Sequence, residues 1–345
     1  MIPIQNIYYM LSYAFQVLNE QGYKNIATEQ FHNTAELMAA ILEKGIAIQL
    51  KRGLGKEYIP QTEALSSLRG KIDIAESIKT QSMLRKQLIC TYDEFSVNSI
   101  MNQIIKSTVE LLLRSNISKQ RKKNLRKLMV YFSEVDFIDS YTVNWNVQYN
   151  RNNQTYRMLI SICYLVVKGL LQTQSNGHTK LMDFLDEQRM CRLYEKFILE
   201  YYRKEFKNQI TANASQIPWQ LDNEENSMLP VMQSDIMLQS GEKVLIIDAK
   251  YYEHSTQVQF DKHTLYSGNL YQIFTYVKNK EYELREKDHT VSGMLLYAKT
   301  DEEIYPNNVY QMSGNQIAVR TLDLNLPFDE IASQLNTIAK THFDL

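Results

Sequence analysis

The stretch SDIMLQSGEKVLIIDAKYY, residues 234–252, decides the fold of the carboxyl-terminal half of the chain. It predicts two strands, 231–239 and 242–252, because apolar and β-branched residues flank a Ser240-Gly241 turn signal. With the turn centred on these two residues, Asp235 lies opposite Ile246, one pleat step from Asp248. The apolar run 244–247 indicates that the second strand is covered on both faces.

Three polar side chains share one face of this predicted hairpin. Residues two apart point to the same side of a strand, so Asp235, Asp248 and Lys250 project together. Diagonal neighbours lie about 7–8 Å apart, which lets two carboxylates hold one hard cation with an ammonium beside it. Mg²⁺ takes one or two carboxylates and keeps its waters for phosphate chemistry. The pattern predicts metal-dependent phosphodiester hydrolysis, with Lys250 orienting the attacking water; a strand-end Asp–Lys salt bridge is the alternative.

A helix predicted from Gly268 carries Gln272 and Tyr276 four residues apart, on one face. A Q-x-x-x-Y element after D…DxK resembles one branch of the PD-(D/E)xK nuclease superfamily. The resemblance implies that both side chains hydrogen-bond a DNA phosphate; packing within the helix is the alternative role.

An amphipathic helix is also predicted upstream, over residues 190–206, with Leu193, Phe197 and Tyr201 on its buried stripe. By the same resemblance Glu195 matches the helix glutamate that adds a metal contact. Glu200 is the alternative, and a solvent-facing role remains open for both.

Length and composition limit the class of protein. A chain of 345 residues predicts two domains, and 44% hydrophobic with 22% charged residues is typical of globular proteins. The net charge of −1 is unusual for a tight DNA binder, so DNA affinity must come from a local patch or a partner. One local patch is the run KQRKKNLRK, residues 119–127, with six positive charges; a solvated helix face is the alternative.

Several classes of site are excluded by spacing. Cys90, Cys163 and Cys191 are isolated, which predicts structural thiols in a reducing cytoplasm rather than disulfides, a zinc site or a four-cysteine cluster. The spacing of His178, His254 and His263 does not suit a shared metal. The segment 53–56 (GLGK) lacks the pattern of a P-loop, so we expect no bound nucleotide.

The amino terminus shows no leader pattern, and the apolar run 158–167 is too short to span a bilayer, so we expect a cytoplasmic protein without a membrane partner.

The chain organisation predicts an α+β protein of two domains. Residues 1–175 form a mixed α/β domain and residues 181–345 a second one, separated by the linker-like QTQSNGHTK, residues 172–180. The second domain is expected to run helix, strands, helix, strands and a closing helix from Phe328. In the first we expect a helical hairpin over 98–132, a short strand at 143–148, and strands with projecting loops at 51–74.

Four segments together resemble the McrC family, the nuclease subunits of 5-methylcytosine-specific restriction systems. They are IPIQNIYYMLSYAF (2–15), LRGKIDIAESI (68–78), the hairpin above and NLYQIFTYV (269–277). The resemblance implies an α/β/α PD-(D/E)xK (restriction-endonuclease-like) domain with Asp235, Asp248 and Lys250 as the catalytic set. It implies Mg²⁺, or alternatively Mn²⁺, held by both aspartates and Glu195.

The same resemblance implies partners. The amino-terminal domain would enter the pore of a McrB-like AAA+ GTPase hexamer and stimulate it, the loops of 51–74 being the expected point of contact. The substrate would be double-stranded DNA carrying modified cytosine. Two other readings stay open: a stand-alone repair or recombination nuclease with the same core, and a non-catalytic adaptor that only stimulates the motor.

Overall fold

The computed structural model describes residues 2–15, 18, 23, 26, 29, 31–139, 142–150, 153, 155–175, 187–222, 228–252, 257–259, 262–299 and 305–345. The chain forms two compact units. One is His32–Met182, and the other combines Met1–Phe31 with Asp183–Leu345.

This division differs from the predicted 1–175 and 181–345 at the amino terminus. The first 31 residues join the carboxyl-terminal unit because their helix packs an aromatic side chain against it: the Tyr13 ring lies 5.7 Å from those of Phe197 and Phe328. Asn6 donates hydrogen bonds to two backbone carbonyls of the same unit, those of Leu324 and Leu326, both at 2.8 Å. Residues 176–180 of the expected linker lie outside the described residues.

The helices are α1 Ile4–Ala14, α2 Thr34–Arg52, α3 Ile74–Lys79, α4 Ile100–Arg114, α5 Lys119–Met129, α6 Tyr156–Ser175, α7 Glu187–Glu205, α8 Ser267–Glu283 and α9 Phe328–Phe343. The strands are β1 Glu57–Leu65, β2 Lys71–Asp73, β3 Leu88–Ser96, β4 Thr211–Asn213, β5 Gln216–Ile217, β6 Met232–Gln233, β7 Ile236–Ser240, β8 Lys243–Lys250, β9 Gln257–Gln259, β10 Lys262–Thr264, β11 Thr290–Ala298, β12 Asn308–Met312 and β13 Asn315–Leu322. The predicted helical hairpin is α4 and α5, and the closing helix from Phe328 is α9.

The carboxyl-terminal unit is built on a mixed sheet with the order β12-β13-β11-β8-β7-β4 in the described part of the chain. β8 pairs in parallel with β11 and antiparallel with β7, so it lies inside the sheet, as its apolar run predicts. Helix α8 covers one face, where Ile273 and Val277 pack on Val244 and Ile246. Alternate residues of β11 point to the other face, towards α9, so helices lie on both sides.

The hairpin differs from prediction in its register. Ile236 pairs with Ile247 and Ser240 with Lys243, so the turn residues are Gly241 and Glu242 instead of Ser240 and Gly241. Gly241 takes a φ of 57°, in the left-handed region that glycine adopts without strain. The two-residue shift keeps every side chain on its predicted face and moves Asp235 from opposite Ile246 to the position opposite Asp248.

The first predicted strand is also interrupted. It divides into β6, which pairs with β5 in a separate ribbon, and β7. The break is fixed at Ser234, whose N–H and hydroxyl both donate to the carbonyl of Ser215, at 3.0 and 3.1 Å. Asp235 therefore lies in a bend at the start of β7.

The other unit, His32–Met182, combines helices with a small antiparallel sheet of order β1-β3-β2. Helix α2 packs against α5 and α6, and α4 packs against α6. The expected strand at 143–148 is wrong: these residues are described and form none, so their alternating pattern does not find a partner strand. No helix within the described ranges is long and apolar enough to cross a membrane.

Candidate active site

Asp235 is held by the strand that carries the second aspartate. Its Oδ2 accepts a hydrogen bond from the backbone N–H of Ala249 at 2.9 Å. Because Ala249 follows Asp248, this one bond places the two carboxylates beside each other at the end of the β7–β8 hairpin. The structure thus brings together the pair that the sequence placed on one face.

Asp248 is the more deeply buried of the two, with only 1% of its surface exposed. The ammonium of Lys250 lies 2.9 Å from its Oδ2, and the Lys250 side chain is 14% exposed. The two charges form a buried ion pair, in which the ammonium offsets part of the cost of burying the carboxylate.

Burial and mutual repulsion set the proton affinities of this group. Burial raises the pKa of Asp248 to about 7, with a smaller lowering by Lys250 and a further rise from Asp235. Burial also raises the pKa of Asp235, against the hydrogen bond from Ala249 and the charge of Lys250, which lower it. Burial alone would lower the pKa of Lys250, but Asp248 raises it overall, so the lysine stays cationic. The single charge of Lys250 therefore does not offset the effect of burial, and the pKa values of both aspartates stay above the ordinary value.

Gln272 and Tyr276 extend the site as a chain of hydrogen bonds along α8. Lys250 donates to Oε1 of Gln272 at 3.3 Å, and Nε2 of Gln272 donates to the Tyr276 hydroxyl at 2.9 Å. The four-residue spacing places both on one face of the helix, above β8. Tyr276 is itself largely buried, so its packing role is present alongside the hydrogen bond.

The two glutamates of helix α7, Glu195 and Glu200, have different surroundings. Burial raises the pKa of Glu195, and the next contribution is repulsion by Asp235. Glu200 instead accepts from Arg203 at 2.7 Å, and Arg203 also donates to the Ala212 carbonyl. The position of Glu195 is fixed by the buried stripe of α7, on which Leu193, Phe197 and Tyr201 are buried as predicted.

Sequence reasoning missed two groups next to the site. The thiol of Cys191 donates to Glu195 Oε1 at 3.1 Å, and burial raises its pKa to about 12. Asn269 donates to the Tyr297 hydroxyl at 2.9 Å, close to the start of α8. The i, i+4 spacing of Cys191 and Glu195 on a helix was an available signal for the first; the second joins residues far apart in sequence.

The residues suit a divalent metal that brings its own water. In the described ranges no three side chains of His, Cys, Asp or Glu form a ready metal cluster. Asp235 and Asp248 supply two carboxylates that lie beside each other. Mg²⁺ needs few protein ligands because it keeps several waters, so this donor set fits it.

The remaining candidate features of the chain are a cavity, three cysteines and three histidines. A cavity of about 970 Å³ in the same unit is lined by residues of β11, β13 and α9, and Asp235, Asp248 and Lys250 do not line it. The thiols of Cys90, Cys163 and Cys191 are free. His178 and His254 lie outside the described residues, as does the side chain of His263.

Comparison with known proteins finds one family whose sequence model matches most of this chain. The sequence model of the family described as "McrBC 5-methylcytosine restriction system component" matches residues 5–298. The Escherichia coli (strain K12) protein "Type IV methyl-directed restriction enzyme EcoKMcrBC" is 29% identical over 342 residues, 97% of this chain and 96% of that protein.

Two solved assemblies from Thermococcus gammatolerans are also similar. In a half-complex of a tetradecameric assembly of McrB AAA+ hexamers with bound McrC, a chain aligns at 18% identity and a TM-score of 0.47, over 97% of this chain and 76% of its own length. The McrBC complex of that organism aligns at 21% identity and a TM-score of 0.41, over 59% of each chain. With a family match over most of its length, this chain belongs to the McrBC 5-methylcytosine restriction system component family.

Proposed function

We propose that this chain is the DNA endonuclease subunit of a modification-dependent restriction complex. The observation that carries the proposal is the buried pair Asp235 and Asp248 with the Lys250 ammonium 2.9 Å from Asp248. The mixed sheet with helices on both faces supports a PD-(D/E)xK nuclease domain. Family membership supports the restriction setting and 5-methylcytosine as the modified base.

Each residue has a defined task in this proposal. Asp235 and Asp248 would hold the metal, and Glu195, which is electrostatically coupled to Asp235, would add a third carboxylate. Mg²⁺, or Mn²⁺ in its place, would polarise the scissile phosphate and lower the pKa of a bound water. Lys250 stays protonated and places positive charge where negative charge grows on the phosphate. Gln272 holds the Lys250 ammonium through its Oε1, and Tyr276 fixes the amide of Gln272.

The unit His32–Met182 is proposed to bind a McrB-type AAA+ GTPase hexamer and to stimulate its GTPase. Its small sheet and the adjoining segments expose several large apolar side chains, which support a protein-binding role for this region. These are Tyr58, Leu68, Ile74, Ile78, Leu84 and Phe95. They include part of the 51–74 region, the contact expected from sequence.

The test combines the full chain with its McrB-type partner, GTP, Mg²⁺ and duplex DNA that is methylated or unmethylated. Cleavage is expected only with methylated DNA and only in the complete mixture. Asp248→Ala should abolish cleavage and keep GTPase stimulation. Cleavage that persists in this variant would refute the site assignment, and a wild-type chain that stimulates GTPase but never cuts would leave only the adaptor function.

A further inference from the structure

The outer face of helix α5 carries positive charge that nothing in the described structure neutralises. Lysines and arginines at 119, 122, 123, 126 and 127 follow the i, i+3, i+4, i+7, i+8 spacing of a single helix face. At 100° per residue they fall within an arc of about 140°. Among the described residues none of these five side chains forms an ion pair. The helix itself, Lys119–Met129, contains no acidic residue.

The opposite face of α5 anchors the helix to α2 and uses the nearby acids. Arg121 contacts Glu36 at 3.4 Å and Glu43 at 2.9 Å, and Asn124 donates to Glu43. Ser118, the N-cap, donates its N–H and hydroxyl to Glu36. Leu125 is fully buried. Glu36 and Glu43 of α2 therefore contact the inner face of α5 and do not pair with the cations on its outer face.

Several cations on other helices are matched by a glutamate three or four positions away. Examples are the pairs Lys278–Glu281, Lys280–Glu283 and Arg114–Glu110. On α5 the cations instead repel one another, and those in the first turn also oppose the helix dipole. Repulsion among five cations on one face lowers the stability of the helix. A bound polyanion would neutralise these charges and remove the repulsion.

We propose that the outer face of α5 binds the phosphate backbone of duplex DNA. Lys119 and Lys127 are about 12 Å apart along the helix at 1.5 Å per residue, and duplex DNA presents about one negative charge per 1.7 Å of its axis. A row of lysines and arginines suits contact with phosphates, because such contacts depend on charge and not on the base sequence. In a chain of net charge −1 the face supplies a local attraction that the whole molecule lacks.

This inference deepens the proposed function, since it gives the amino-terminal part of a DNA-cleaving subunit its own contact with DNA. The test uses the full chain in EDTA and a fluorescein-labelled unmethylated duplex, with binding measured by anisotropy over a series of KCl concentrations. The variant is K119Q/K123Q/K127Q, because glutamine keeps the helix propensity of lysine. The control K207Q/K287Q/K340Q removes the same charge from exposed positions of the other unit.

The outer-face variant should bind DNA at least about 10-fold more weakly, and its salt slope should be smaller by about 2–3, near 0.9 per lost phosphate contact. The control should keep the wild-type slope. Equal slopes for the two variants would overturn the proposal. So would a loss of assembly with the AAA+ partner while the DNA slope is unchanged, which would assign the face to an acidic protein. Circular dichroism checks that both variants are folded, and because no cleavage is measured, the result is independent of the nuclease assignment.

Discussion

Asp235 accepts the backbone N–H of Ala249 at 2.9 Å, so the first acid of the site is fixed by the residue that directly follows the second acid, Asp248. Asp235 therefore has two roles that mutations can separate: it accepts this hydrogen bond, and its carboxylate carries a negative charge. Asp235→Asn keeps the acceptor and loses the charge, and we expect cleavage to fall at least about 100-fold with little change in the melting temperature.

Asp235→Ala removes the acceptor as well. It leaves the Ala249 N–H unsatisfied, so this variant should be less stable than Asp235→Asn by about 1 kcal/mol. Cleavage assays and thermal melts of both variants check these outcomes. A fully active Asp235→Asn variant would contradict the proposed role of its charge.

Gln272 is predicted to act on Lys250 and not on the protein fold. Gln272→Ala frees the Lys250 ammonium from its 3.3 Å hydrogen bond, and cleavage should fall about 10-fold with stability nearly unchanged. Tyr276→Phe removes only the bond to Gln272, one step further away, so its effect should be smaller. Single-turnover cleavage rates of the two variants give the order, and an effect of Tyr276→Phe larger than that of Gln272→Ala would contradict it.

Glu195 and Glu200 form a matched pair on one helix. Glu195→Gln should weaken the stabilisation that Mg²⁺ gives to thermal melting, because a carboxyl within reach of the acid pair is lost. Glu200→Gln should keep the metal response and lose only its ion pair with Arg203, about 0.2–1 kcal/mol. Melting curves with and without Mg²⁺ measure both. If Glu200→Gln alone weakens the metal response, the assignment on α7 is wrong.

Gly293 lets α8 lie close to the sheet. A Cβ there would be 2.8 Å from Cγ1 of Ile273 and 2.9 Å from side-chain atoms of Val277 and Ile317. Gly293→Ala should therefore destabilise the protein by about 1–3 kcal/mol and, by moving α8, slow cleavage. The control is Gly268→Ala near the start of α8, where nothing lies within 4 Å of the new Cβ, so we expect no loss of stability. Urea unfolding of both variants provides the comparison.

Asp323 gives a pH-dependent contribution to stability away from the site. Burial alone would raise the pKa of Asp323, but hydrogen bonds from Lys299 Nζ at 2.7 Å and from the Asn325 N–H lower it overall. A lowered pKa means that the folded state favours the charged form. Its stabilisation is thus complete above the unfolded pKa of about 3.9 and is lost as the pH falls through the folded value.

We expect Asp323→Asn to be less stable than wild type by about 0.5–1 kcal/mol at neutral pH, and this difference should shrink towards about pH 3. Urea denaturation across that pH range measures it. A difference that stays constant with pH would show that the charge of Asp323 does not contribute.

The pattern of residues was enough for the main helices, for strand β8 and for the face on which the acids lie. Strand alternation has a period of two, so Asp235, Asp248 and Lys250 share a side whether the turn is at 240–241 or at 241–242. The four-residue spacing of Gln272 and Tyr276 likewise fixed their common helix face. These are local properties of the backbone, and the sequence by itself determined them.

Tertiary structure decided what depends on distant partners. The exact register, the break at Ser234 and the place of the first 31 residues all follow from contacts across many residues. The burial that raises the pKa of Asp248 is also of this kind, because a carboxylate loses its water only when other parts of the chain pack around it.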